Sequence, residues 1–376
     1  AGFVTFKAWV EDMAQKHGKD VVIPGMEPTG HYWFNLGTYL QDNGMKPVHV
    51  NPHHVKKSKE LDDNNPNKND RKDPKTIAAL VNEGRFSYPY IPTGIYAEIR
   101  NLSNLRFQTQ EEITRIKNRL ARWFSIYFPE YKDVYGNLDA VSGMMILKEA
   151  PLPADIVKLG AEGINKIWRD AKLRAVGMKR AKTLINKAEH SVGSHEAPEA
   201  ARVELRILLN DDEMYNLRME ELMQTIEEKL HEIPYIDKLM EIKGIGMITI
   251  CGFIAEVGDI RRFDNPKQLQ KLAGYAIVSN DSGKHNGESH ISYRGRKRLR
   301  YVLYEAAISL IGKNPEFKEI HNYYLTREKN PLKKMQSVIA VACKVIRVFY
   351  MMLTKGTSYD GAKMLNDIKR PESAMI

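Results

Sequence analysis

Only two cysteines occur among the 376 residues, Cys251 and Cys343, each inside an apolar run and far from the other. That scarcity excludes a disulfide framework and a cysteine-based zinc site, and it fits a reducing cytoplasm. Long hydrophobic runs are also missing. None approaches the ~20 residues of a membrane span, and no signal-peptide pattern precedes the first helical segment, so the chain is expected neither to span a membrane nor to be secreted. No internal repeat is visible. Acidic residues are in deficit: 47 Asp and Glu against 57 Lys and Arg leave a formal net charge of +10, with a pI near 9.2. Such a charge, with Tyr, Trp and Arg interleaved, favours a polyanionic partner and suits nucleic acid better than a membrane surface. A merely basic soluble protein would carry the same balance.

What is present points to two or three domains. Val21, Val22 and Ile23 predict a short buried strand over residues 20–24, ended by Gly25. Tyr32, Trp33, Leu36, Tyr39 and Leu40 recur at helical spacing, and residues 47–50 predict a second strand. Strand, helix, strand implies an α/β unit with a parallel pair. Residues 56–73 are polar and predict a loop, followed by a helix with Asp73 at its cap and Pro74 at its first position. Apolar periodicity then predicts two long amphipathic helices, over 94–127 and 202–239, which would pair as a stalk or coiled coil within the chain or between subunits. Residues 130–200 carry no legible chemistry. The expected division is therefore an α/β domain over 1–92, a helical stalk over 93–232, and a helical domain over 233–376.

The densest chemistry lies between Lys243 and Arg300. Lys243-Gly244-Ile245-Gly246 sits between two apolar helical runs, and its glycines let backbone N–H groups approach a phosphate, the logic of a helix-hairpin-helix. Asp281-Ser282-Gly283-Lys284-His285 reads as a polar loop. A serine beside glycine is usually a turn residue, and a nucleophile also needs activation. Lys284, Arg294, Arg296, Lys297, Arg298 and Arg300 predict phosphate contacts without base readout. Glu27 at a strand end, with Asp70 and Asp73 one turn apart, forms a candidate carboxylate set for Mg²⁺. Each acid also has a plainer reading: Asp73 as a helix cap, Asp70 as solvated charge, Glu27 as a turn residue.

As an ordered set these motifs are specific. The chain resembles DEDD-type insertion-sequence transposases of the IS one-ten family, on Gly25-Met26-Glu27-Pro28-Thr29-Gly30-His31-Tyr32-Trp33, Val50-Asn51-Pro52, residues 56–63, Asn69-Asp70-Arg71-Lys72-Asp73, Lys243-Gly244-Ile245-Gly246, Leu272-Ala273-Gly274-Tyr275, Ser282-Gly283-Lys284-His285 and residues 294–300. The resemblance implies an N-terminal RuvC-like, RNase H-type domain whose acids bind Mg²⁺ and a C-terminal transposase domain that supplies a nucleophilic serine. Glu27, Asp70 and Asp73 match the second, third and fourth acids, and Ser282 matches the serine. It further implies DNA and a structured guide RNA as partners, multimers in which domains of different subunits combine, and action at the bacterial nucleoid. The family's first acid lies on an opening strand, whereas this sequence opens in a helix. The RuvC-like domain is thus expected to be incomplete and the chain to be a fragment of a longer reading frame. The expected function is serine-linked DNA strand exchange; the alternatives are a metal-dependent nuclease and a catalytically inactive nucleic-acid-binding fragment.

Overall fold

A computed structural model describes residues 2–63, 72–278, 281–282, 285–286, 289–366 and 368, with backbone alone at 62, 63, 281, 282, 285 and 286. Two compact units result, Ala1–Pro92 and Thr93–Ile376. Helix dominates both, and the strands are short.

The first unit runs α1 (Gly2–Lys16), β1 (Gly25–Met26), α2 (Tyr32–Asp42), β2 (Val48–His49), α3 (Pro52–Asp63) and α4 (Asp73–Asn82). β1 and β2 are parallel, with Gly25 opposite Val48 and Met26 opposite His49, so the strand, helix, strand unit is present. The first strand lies later than the apolar run suggests. Val21, Val22 and Ile23 have no regular structure and are 77%, 37% and 39% exposed. Pro24 joins the ladder only through its carbonyl, which accepts from Val48 N at 2.9 Å, because proline has no N–H to give. Much of the expected 56–73 loop is also helix. Asn51 Oδ1 accepts from His53 N at 2.9 Å at the start of α3, and Val55 anchors the helix at 2% exposure. Glycine is required at position 25, since a Cβ there would lie 2.6 Å from Val81 Cγ2 on α4.

The second unit begins with α5 (Gly94–Tyr127), followed by α6 (Tyr131–Val134), α7 (Val141–Glu149), α8 (Pro153–Asp170), α9 (Met178–Glu189) and α10 (Pro198–His231). Then come α11 (Ile236–Met240), α12 (Met247–Val257), a 3₁₀ turn at Ile260–Arg262 and α13 (Pro266–Leu272). Four two-residue strands follow, β3 (Ile277–Val278), β4 (Asp281–Ser282), β5 (His285–Asn286) and β6 (His290–Ile291). α14 (Lys297–Lys313), α15 (Pro315–Thr326), α16 (Lys334–Lys355) and α17 (Gly361–Asn366) complete it.

This unit has two cores. One gathers Trp123, Phe124, Tyr131, Trp168 and Leu205, and both indoles are satisfied: Trp123 Nε1 donates to Ala201 O at 3.0 Å and Trp168 Nε1 to Ser142 O at 2.8 Å. The other gathers Ile99, Ile226, Phe253, Leu303, Val341 and Phe349. α5 and α10 contribute to both, because each is long enough to carry apolar residues into two layers. α16 is long and apolar enough to cross a membrane by length and composition, but it lies at the centre of the second core, with Val338, Val341, Val345, Ile346 and Phe349 buried.

The first unit's own core cluster holds three fully buried side chains, Val50, Val55 and Leu80, a small fraction of what the second unit buries. Limited proteolysis should therefore cut first within residues 2–92 and leave a resistant species beginning near Thr93. Equal protection of both units would contradict this.

Candidate functional site

Glu27 follows β1 directly, and Asp73 opens α4. The cap position of α4 falls on Lys72, so Asp73 is the first helical residue and Pro74 the second. An open pocket of about 650 Å³ lies over this region, lined by Glu27 and Pro74 with Gly25, Ile77 and Val81. The strand end and the helix start thus place Glu27 in the same pocket as Pro74, the residue after Asp73. Asp70 lies outside the described residues. Asp73 Oδ1 is held by the ammonium of Lys59 on α3, an ion pair whose side chains are 25% and 21% exposed. No role for Lys59 follows from spacing alone, although its Lys-Lys-Ser-Lys segment is part of the resemblance. Among the described residues no three His, Cys, Asp or Glu side chains converge on a common point. The donor set that is present consists of hard carboxylate oxygens, which suits an oxygen-seeking divalent cation. The Lys59 ammonium already occupies one of those oxygens as a positive charge.

Ser282 sits in a nested hairpin of the second unit. β3 pairs antiparallel with β6, Ile277 opposite Ile291, and β4 pairs with β5, Ser282 opposite His285. The serine is therefore on the inner of the two ladders. Gly283 and Lys284 lie outside the described residues, as do the side chains of Ser282 and His285.

The basic stretch after the hairpin separates into two sets. Arg294 and Lys297 are exposed. Arg296, Arg298 and Arg300 are half-buried and already have partners. Arg296 Nη1 reaches Glu256 Oε2 at 3.3 Å, a carboxyl that burial pushes up against the pull of Arg100 and Arg298. Arg298 donates to Asn104 Oδ1 and lies 4.4 Å from the Phe107 ring. Arg300 Nη1 donates to Ala273 O at 3.1 Å and Tyr293 O at 3.2 Å. The partners Asn104 and Phe107 come from α5, nearly two hundred residues earlier, and no local pattern announces them.

Lys243 and Gly246 are exposed at the turn between α11 and α12. Gly244 has φ +103° and packs against α14, where a Cβ would touch Leu310 and Lys313 at 3.4 Å. Its carbonyl accepts from Ser309 Oγ at 2.7 Å. α12 starts at Met247 with Gly246 as its cap residue and no side-chain cap, which leaves the N–H groups of Met247 and Ile248 without helical partners, while Thr249 N donates to Gly246 O at 3.0 Å.

One glycine ties the basic stretch to the fold. A Cβ on Gly295 would lie 2.4 Å from Leu272 O and 2.5 Å from Gly274 N, both backbone atoms that cannot swing aside. Gly295→Ala should cost about 1–3 kcal/mol in a urea melt, as overpacked sites do. An unchanged midpoint would contradict the tight crossing.

With this geometry in hand, comparison with known proteins is informative. Residues 3–129 match a family model described as a transposase, of the DEDD IS110 type. Residues 236–322 match the model described as Transposase IS116/IS110/IS902 family. Together the two matches span more than half of the chain. A protein of insertion element IS116 from Streptomyces clavuligerus is 24% identical over 292 residues, 76% of this chain and 71% of its own length. A protein of insertion element IS900 from Mycobacterium paratuberculosis is 23% identical over 299 residues, 77% of this chain and 73% of its own length. The transposase for insertion sequence element IS1111A from Coxiella burnetii is 24% identical over 147 residues, 38% of this chain and 40% of its own length. The first model covers Glu27, Lys59 and Asp73 and the second covers the glycine turn, the serine hairpin and the basic stretch, so the chain belongs to the IS116/IS110/IS902 family of insertion-sequence transposases.

Proposed function

We propose that this transposase exchanges DNA strands through a phosphoserine link formed by Ser282, with carboxylates of a RuvC-like N-terminal domain acting on the same phosphodiester chemistry. The observation that carries the reading is the serine on the inner ladder of two nested strand pairs, with a basic helix start after the outer pair. In the step proposed, the Ser282 oxygen forms a bond to phosphorus while one phosphorus–sugar oxygen bond breaks. The sugar oxygen leaves as a hydroxyl and takes up the proton that the serine gives. Attack by the hydroxyl of a second strand reverses the step and releases Ser282, so strands are exchanged without external energy.

Glu27, Asp70 and Asp73 are the residues that would hold Mg²⁺, which when bound supplies charge stabilisation to the attacking and leaving oxygens. Lys243 and the free N–H groups after Gly246 would grip a phosphate in the manner of a helix-hairpin-helix. Arg294 and Lys297 would add exposed charge along the strand, with Lys284 of the serine loop. The net charge of +10 accommodates both DNA and the guide RNA that the resemblance implies. A second copy of the chain is also proposed as partner. One face of α10 packs on α5, and the opposite face exposes Val203, Ile207, Met214 and Leu217 at 44%, 47%, 37% and 60%. With Asn210 between them these residues keep a four-three spacing, the seam of a coiled coil.

The test incubates the protein with element-end DNA, its RNA and Mg²⁺ and assays for a protein–DNA adduct that survives denaturation. The wild type should form it and Ser282→Ala should form none. An adduct that persists in Ser282→Ala would remove the serine from its role. Free strand ends without an adduct would favour hydrolysis at the carboxylates.

A further inference from the structure

The second unit contains a positive charge that the mechanism above does not use. Arg106 on α5 is 8% exposed, and among the described residues its guanidinium makes no hydrogen bond or ion pair. Its one close partner is the Phe107 ring, 4.6 Å away. Burial lowers its pKa, and Arg298 adds like charge nearby. The adjacent thiol, Cys251, is pushed up to about 11 by burial and supplies no counter-charge. A guanidinium carries five donors, and none of the Arg106 nitrogens is among the fully buried, unpartnered polar atoms of the described residues, so its donors reach the space beside it and are free for a ligand.

Arg106 does not face solid protein. It lines a groove of about 820 Å³ between α5, the start of α12 and α14. Phe107, Ile248 and Tyr301 supply apolar and aromatic wall, and Ile248 and Tyr301 are 51% and 55% exposed. Glu111 and Glu305 also line it and are exposed. Ser309, another lining residue, holds the carbonyl of Gly244 at 2.7 Å, so the groove adjoins the glycine turn.

We propose that this groove receives one unpaired nucleobase turned out of a strand, with Arg106 reading its acceptor edge. The proposal rests on the nucleic-acid reading above. A run of phosphates fits poorly, because Glu111 and Glu305 line the groove, its second arginine, Arg115, is paired with Glu112, and Phe107 and Tyr301 supply aromatic wall. A base suits both features. Its ring stacks on Tyr301, its acceptors take the guanidinium donors, and its amino group faces the carboxylates. Guanine fits best, since O6 and N7 accept two guanidinium donors together while N1–H and the 2-amino group remain for Glu111 or Glu305.

The test uses fluorescently labelled oligothymidylate with one central guanine, adenine, cytosine or abasic site, and fluorescence anisotropy at several salt concentrations. Wild-type protein should bind the guanine strand about tenfold more tightly than the abasic strand, the scale of one stacked and hydrogen-bonded base. Arg106→Met should erase that preference, leave the salt dependence unchanged, and keep the melting temperature, because no hydrogen bond or ion pair is lost. Tyr301→Ala, at an exposed position that does not threaten folding, should reduce the preference independently. A guanine preference that survives in either variant overturns the proposal, as does wild-type protein that does not distinguish guanine from the abasic site. Uniform weakening of every strand by Arg106→Met with a flatter salt dependence would make Arg106 a phosphate contact and overturn the base reading. Failure of the wild type to bind any strand would overturn the nucleic-acid reading itself.

Discussion

The second unit depends on the packing of α5 against two partners at once. Its C-terminal half builds one core with α10 through Ile116, Leu120, Trp123 and Phe124, and its N-terminal half enters the other through Ile99. Polar contacts fix the register. Arg100 Nε donates to Ala255 O at 3.1 Å at the end of α12, and Asn104 accepts from Arg298. A helix of 34 residues with apolar residues on two faces cannot slide without unpacking both layers, so the start of α14 inherits its position from α5. Through that start, the glycine turn and the serine hairpin are held in one frame. The hairpin itself is anchored where Ser292 N donates to Ala276 O at 2.8 Å and Arg296 N to Leu272 O at 2.7 Å.

Charge in this frame is divided between structure and recognition. Arg296, Arg298 and Arg300 spend their donors on Glu256, Asn104 and backbone carbonyls. Arg294, Lys297 and Lys243 remain exposed. Arg106 belongs to neither set: it is more buried than the first, yet among the described residues it makes no hydrogen bond or ion pair. In the N-terminal unit the same economy is visible at Asp73, whose charge is matched by Lys59. Both units therefore keep charged groups near the proposed chemistry, matched at Asp73 and unmatched at Arg106.

Much of the helical architecture was legible, because apolar periodicity over 94–127 is long and regular and α5 matches it; α10 instead runs Pro198–His231, and the expected continuation to 239 is broken before α11, where Tyr235 is left-handed. The parallel pair of the first unit was legible from strand, helix, strand order. Its register was not: Pro24 and the Gly25–Val81 contact place the strand after the most apolar residues, and both are tertiary effects. α3 was hidden by its polarity, since its fixed points are one buried valine and an asparagine cap. The carboxylates, the serine and the glycine turn were legible as residue types in order. Which arginines are free was not, because the deciding partners Asn104, Phe107 and Glu256 are distant in the chain and ordinary in composition.

The central claim is that the basic stretch holds two classes of cation, and the salt dependence of duplex DNA binding tests it directly. Replacing Arg294 and Lys297 together by alanine should flatten the slope of log K against log salt by about 0.9 per lost phosphate contact and leave the melting temperature unchanged. Arg298→Ala should do the reverse, lowering the melting temperature while the slope stays as in the wild type. A flattened slope for Arg298→Ala at unchanged stability would contradict the account.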